Sequence, residues 1–331
     1  MAENKDILIV ENLTMNFRGR KRFLEKRKPD VKAVNNVSFS VREGETFGLV
    51  GESGCGKTTL GKCIVRLLKP TEGKLLYNDE GEWKDLLSLE KKESHALRRK
   101  LQIVFQDPYA SLNPQHTILE AFDEPMRVHG IGGNRAERKK LIAEALERVN
   151  LQPDYMYRYP HEFSGGQRQR LCVAKCLVLQ PKMIICDEPV SALDVSVQAQ
   201  LLNLMKKLQA ELGVTYIFIA HDLSVVQYMS DRIGVMYLGN MVELASADEL
   251  YANPMHPYTE ALLSAVPVPV VGAKKDRIIL EGDVPSPMNP PSGCPFHPRC
   301  AKCMEICKQE KPVLCEKKDG HMVACHLYDE K

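Results

Sequence analysis

The sequence predicts an α/β fold in which helices cover a largely parallel sheet, and three observations carry that reading. Short apolar runs, Thr46 to Val50, Met183 to Cys186 and Val214 to Ala220, have the length and composition of buried strands. Leu201, Leu204, Met205, Leu208 and Leu212 recur at helical spacing between two of them. After the first run stands the loop Gly51-Glu52-Ser53-Gly54-Cys55-Gly56-Lys57-Thr58-Thr59, and after the loop Leu60 to Leu68 is again helical in pattern. Strand, glycine loop and helix in that order form a cradle for phosphate.

Along the chain, Ile7 to Val10 and Ala33 to Val41 read as strands. Between them Arg18, Arg20, Lys21, Arg22, Lys26, Arg27, Lys28 and Lys32 crowd one polar stretch. A solvated loop is the favoured reading of that stretch, and contact with an anionic membrane surface is the sharper alternative. Lys74 to Tyr77 and Gln102 to Phe105 are strand-like. Thr117 to Val149 is helical in pattern, broken at Gly130, Gly132 and Gly133, so the middle of the chain reads as a helical insertion. Past Ala265 the character changes: prolines from Pro267 to Pro298 interrupt regular structure, and six cysteines crowd the end. A boundary belongs there.

With 331 residues and 44% hydrophobic content the chain can bury a large core and carry an appendage. The formal net charge of +2 argues against broad electrostatic binding of nucleic acid. The opening residues lack the basic and apolar regions of a signal peptide, and no apolar run reaches the roughly 18 residues a bilayer span needs. The expectation is a cytoplasmic chain. In that compartment the eleven cysteines read as core residues or metal ligands rather than disulfides.

In the glycine loop, successive backbone N–H groups freed of side chains by Gly54 and Gly56 wrap phosphates, helped by the positive end of the following helix. Lys57 then neutralises the terminal phosphates and Thr58 ligates magnesium. A hydrolase also needs a carboxylate for the metal and a group that positions water. Met183 to Glu188 offers both, with Asp187 reaching toward the metal and Glu188 as general base. Ser164-Gly165-Gly166-Gln167 opens another helix, with Ser164 as its N-cap. One triphosphate has little use for two such helix starts, so this segment is expected to address nucleotide held by a partner subunit.

Together Gly51 to Thr59, Gln106, Ser164 to Gln167, Asp187-Glu188, Ser191-Ala192-Leu193-Asp194 and His221 resemble, in order and wording, the ATP-binding subunits of ABC transporters, over about residues 6 to 265. The resemblance implies a P-loop NTPase (RecA-like) core with an antiparallel β subdomain, a helical subdomain inserted at about residues 107–180, and a Cys-rich C-terminal extension. It divides the chain into a nucleotide-binding domain, 1–265, and the extension, 266–331. It assigns ATP to Gly51, Ser53, Gly54, Cys55, Gly56, Lys57, Thr58 and Thr59 in one subunit and to Ser164, Gly165, Gly166 and Gln167 in the other. Gln106 becomes the lever that contacts magnesium and the transmembrane partner, Asp194 part of the contact between ATPase subunits, and His221 the switch at the γ-phosphate. Phe17 stands where the family keeps an aromatic that stacks on adenine, with Phe23 a competitor.

Asn253 to Leu263, Gly282 to Pro287 and Gly293 to Cys300 resemble more narrowly the C-terminal extension of dipeptide and oligopeptide importer ATPases. Peptide is then the leading cargo, with nickel, glutathione or oligosaccharide import as alternatives. The implied partners are a second ATPase subunit, a non-identical homologue with a second copy of this chain as the alternative, two transmembrane permease subunits, and indirectly an extracytoplasmic peptide-binding protein. The implied location is the cytoplasmic face of the cell membrane. A soluble ABC-type ATPase acting on ribosomes or DNA is the competing class, and a redox-sensing tail a third. Cys294, Cys300, Cys303, Cys307, Cys315 and Cys325 form a density suited to a metal anchor, and soft thiolates select zinc or an iron-sulfur cluster. Some members of the resembled family carry a 4Fe-4S cluster there, and Cys294, Cys300, Cys307 and Cys325 match its ligands; zinc, with His297 or His321, and no metal at all are the alternatives, and Cys303 and Cys315 are additions that either substitute for one of the four or are free thiols. Cys55, Cys63, Cys172, Cys176 and Cys186 read as packing residues.

Overall fold

The computed structural model describes residues 5–19, 30–266 and 277–329, and these form two compact units. Most of the basic stretch after Arg18, together with Phe23, Pro267 and Pro269, lies outside the described residues.

One unit is built chiefly from Ser88–Ile219. Its strands Leu101–Val104, Met183–Asp187 and Thr215–Ile219 are parallel neighbours, and the last two are buried along their whole length. Unbroken apolar runs suit strands covered on both faces. The helices Ile118–Val128 and Arg135–Arg148 bracket the predicted glycine break. Thr117 and Glu120 form a capping box on the first, and Asn134 caps the second by accepting from the Glu137 amide at 2.9 Å. The helix Val195–Leu212 buries Leu201, Leu204, Met205 and Leu208, as their spacing requires, and stops at Gly213, whose φ of 64° is left-handed. Leu212, read from the same spacing, is instead exposed at the helix end.

The other unit comprises the described residues of Asp6–Val41, Thr46–Leu87 and Ala220–Lys331. Its antiparallel sheet has the order Val31–Arg42, Asp6–Phe17, Glu72–Asp79, Glu82–Asp85. Leu8 faces Tyr77 and Val10 faces Leu75, all four buried. In its mixed sheet Thr46–Val50 runs parallel to Arg232–Tyr237, which turns back into Asn240–Ser246. The tail contributes regular structure that no periodicity announces: Cys315–Lys318 and His321–Val323 form a hairpin paired to Asn240–Ser246. Such short strands hold because Val323 and His321 are fully buried, His321 against Glu243 at 2.7 Å. Among the described residues no helix is long and apolar enough to cross a membrane.

Candidate nucleotide site

The glycine loop follows the buried strand Thr46–Val50 and ends in the helix Lys57–Ile64. At the N-cap stands Gly56, at φ 108°, with no side-chain cap. A β-carbon at Gly56 would run into the Ala33 carbonyl, so glycine is dictated by packing as well as by dihedral. First-turn amides of an α-helix lack backbone acceptors, and here no cap side chain takes one of them, an arrangement suited to an anion. Lys57 is 5% exposed and donates to the carbonyls of Gly51 at 2.6 Å and Glu52 at 3.1 Å, which fixes its charge inside the loop. Ser53 and Gly54 form the exposed crest; Thr58 and Thr59 sit on the first helical turn. Burial pushes the Cys55 thiol up, which leaves it a neutral packing group. The Ala220 amide donates to the Leu49 carbonyl at 3.4 Å, tying exposed His221 to the strand that feeds the loop. Phe17, 39% exposed, ends its strand.

The carboxylates belong to the other unit. Asp187 ends the strand Met183–Asp187 and is 5% exposed. Glu188 follows at φ 49°, a conformation that non-glycine residues adopt at a cost and that clusters at functional sites. Its amide donates to the Ile219 carbonyl at 2.9 Å, and its Oε2 accepts from Gln106 Nε2 at 3.0 Å. Ser191 Oγ accepts from the same Gln106 amide at 3.4 Å and donates to the Glu188 carbonyl at 3.1 Å. Thus Gln106, Glu188 and Ser191 form one hydrogen-bonded set. Asp194 is the exposed N-cap of Val195–Leu212 and makes no side-chain cap bond.

Ser164 caps Gly165–Leu177 as expected: its hydroxyl accepts from the Gln167 amide at 3.3 Å, while the Gln167 side chain accepts from the Ser164 amide at 3.0 Å. A β-carbon on Gly166 would collide with Val197 Cγ1. Ser164, Gly166, Gln167, Arg170, Tyr155 and Gln200 line an open concavity of about 360 Å³.

In the tail, Cys294, Cys300, Cys307 and Cys325 all line one cavity of about 10 Å³, beside His256, His297 and His326. The two additional cysteines are not in its lining: Cys303 Sγ lies beside the Cys307 thiol and toward the Met304 carbonyl at 3.6 Å, and Cys315 Sγ lies toward the Val323 carbonyl at 3.9 Å. Burial pushes the Cys294 and Cys325 thiols up to about 11. Among the described residues, however, no three His, Cys, Asp or Glu side chains are grouped as a metal ion requires. The expected anchor is therefore a shared cavity wall rather than a convergent cage. Cys55, Cys63, Cys172, Cys176 and Cys186 are buried thiols, in keeping with packing.

Residues 34–191 match the ABC transporter family, and residues 242–307 match the C-terminal region of oligopeptide/dipeptide transporters. A putative oligopeptide transport ATP-binding protein, YkfD of Bacillus subtilis, is 54% identical over 324 residues, 97% of this chain and 95% of that protein. The chain belongs to the ABC transporter ATP-binding proteins. The oligopeptide transport ATP-binding protein AppF of the same organism is 52% identical over 330 residues, 99% of each chain. Among solved structures, the dimeric structure of MJ0796, a bacterial ABC transporter cassette, superimposes with TM-score 0.63 at 30% identity, covering 73% of this chain and 99% of that one. The fold of this ABC ATPase is accordingly that of the cassette, with a mixed sheet, an antiparallel sheet and helices.

Sequence reasoning passed over several residues of this ABC ATPase that act on the motifs. The Arg168 guanidinium stacks 3.8 Å from the Tyr109 ring centroid and donates to the Tyr109 hydroxyl, while Lys175 Nζ donates to the Ser111 carbonyl at 3.1 Å. The helix that begins at Gly165 thereby grips the segment that follows Gln106. In the other unit Arg299 forms an ion pair with Glu52 of the glycine loop. Neither pairing has a local signal, since the partners are separated by 59 and 247 positions.

Proposed function

We propose that this chain is the ATP-hydrolysing subunit of an importer of di- and oligopeptides. The reading is carried by the near full-length identity to oligopeptide transport ATP-binding proteins, which extends through the tail into the region matched by the peptide-transporter C-terminal family. Residues 1–265 are the nucleotide-binding domain, with the helical insertion at about 107–180, and 266–331 the extension. The chain sits on the cytoplasmic face of the membrane against two permease subunits and pairs with a second, non-identical ATPase. Nucleotide arrives as MgATP.

In this reading the loop Gly51 to Thr59 holds the phosphates, with Lys57 neutralising them, and Phe17 stacks on the adenine. Thr58, Gln106 and Asp187 would hold the magnesium, which when bound would supply charge neutralisation at the phosphates. Glu188 takes a proton from the attacking water, and the Gln106 amide at 3.0 Å supports that role by holding its carboxylate in place. His221 senses the γ-phosphate. Ser164 to Gln167 and Asp194 face the nucleotide of the partner subunit; the dimeric cassette among the solved relatives supports such a pairing. Closure of the pair on two ATP molecules drives the permease, and hydrolysis reopens it.

The tail cysteines are proposed to hold a 4Fe-4S cluster through Cys294, Cys300, Cys307 and Cys325. The donor set fits in kind and number: four thiols line a single cavity and the two others do not. A cavity of about 10 Å³ is the size of one water, so loading it requires the thiols to spread.

Replacement of Glu188 by Gln tests the central claim. In the assembled transporter, steady-state hydrolysis is expected to fall by about a hundredfold or more while ATP remains bound. Hydrolysis at the unmodified rate would remove Glu188 from its role.

A further inference from the structure

Glu52 is the sole acidic residue of the loop Gly51 to Thr59. A carboxylate at that place stands beside the groups that bind a polyanion, and left unpaired it would repel the ligand. Arg299 meets it from the C-terminal extension with a two-pronged contact, Nη1 to Oε2 at 2.8 Å and Nη2 to Oε1 at 3.2 Å. The arginine side chain is 7% exposed and the glutamate 26%, so solvent screens this pair less than a surface pair.

The surrounding contacts fix both partners. Glu52 N donates to the Tyr258 hydroxyl at 2.8 Å, and Gly239 N donates to the Cys55 carbonyl at 2.9 Å. Arg299 closes the short turn His297–Arg299, its amide donating to the Phe296 carbonyl at 3.0 Å. The Phe296 ring is buried against Tyr237 and Tyr258, with centroids at 5.3 and 5.4 Å. Cys294 and Cys300, which flank this turn, both line the cysteine cavity.

We infer that Arg299 is a positioning residue for nucleotide binding: it neutralises Glu52 and holds the glycine loop in its phosphate-ready shape from the C-terminal extension. The inference rests on the reading of Gly51 to Thr59 as the phosphate loop. A structural strut would act through shape alone, whereas a neutralising residue acts through charge, and the two are separable by experiment.

The full-length chain is titrated with MgATP by calorimetry at low and high salt. Arg299→Ala is expected to raise the Kd about tenfold, and the defect shrinks at high salt. Glu52→Gln in the Arg299→Ala background is expected to bring the Kd back to within about twofold of the unmodified protein, because the unpaired charge is gone. Unchanged affinity in Arg299→Ala, or a double variant as weak as Arg299→Ala, overturns the inference. Arg299→Lys keeps the charge and should bind within about threefold of the unmodified protein; should Arg299→Ala fail to fold, a loss of affinity of about tenfold in Arg299→Lys that is the same at both salt concentrations overturns it. Failure of the unmodified chain to bind MgATP would instead refute the phosphate loop itself.

Discussion

Gly166 shows how one residue can be dictated twice. Its place at the start of a helix suits a nucleotide contact, and the collision its β-carbon would make with Val197 Cγ1 forbids any larger side chain. Val197 Cβ is 3.7 Å away, an ordinary contact, so the obstruction is confined to one methyl group. Gly166→Ala is therefore expected to destabilise the chain by about 1–3 kcal/mol and to lower its melting temperature. Adding Val197→Ala should recover much of that loss. A double variant that melts no higher than Gly166→Ala would place the cause elsewhere. The Ser164 to Gln167 motif was legible from its wording, and so was the Ser164 cap. The packing reason for Gly166 was not, because Val197 is the neighbour only after the chain folds.

At the scale of elements, legibility followed periodicity. Val195–Leu212 was readable because its leucines repeat on one face, and the strands Met183–Asp187 and Thr215–Ile219 because they are unbroken apolar runs. The helix Lys91–Lys100 was passed over, since Leu97 is its single buried residue and the rest is polar or exposed. What this helix does contribute is a contact with the end of Ile118–Val128. His95 stacks on His129 with centroids 4.6 Å apart, and its Nε2 donates to the Val128 carbonyl at 3.2 Å. Burial first, then the charges of His95, Arg99 and Arg98, hold the His129 imidazole below its ordinary 6.5. The folded chain consequently binds fewer protons at this site than the unfolded chain once pH falls below 6.5, so acidification through that value costs stability. His129→Gln should flatten the decline in melting temperature between about pH 7.5 and about pH 5.5. A variant whose melting temperature falls as steeply as that of the unmodified protein would assign the acid sensitivity to other groups.

For the whole molecule, motif order announced the cassette, and the wording of the tail announced the transporter class. Contacts that tie the tail to the core stayed hidden, because Arg299 and Glu52, or Val323 and Glu243, are neighbours through topology alone. The cysteines lie between these cases. Their number was visible in sequence, and folding sorts them: Cys294, Cys300, Cys307 and Cys325 face one cavity, while Cys303 and Cys315 turn to backbone carbonyls. Thiols raised by burial are poor ligands until a metal displaces their protons, so occupancy and deprotonation must arrive together. On the proposal of a 4Fe-4S cluster, protein purified without oxygen is expected to contain about four iron and about four sulfide per chain. Cys303→Ser and Cys315→Ser should retain that content, whereas Cys294→Ser or Cys307→Ser should lose most of it. A single zinc per chain, or iron that survives Cys294→Ser and vanishes with Cys303→Ser, would reassign the ligand set to a different combination of the six thiols.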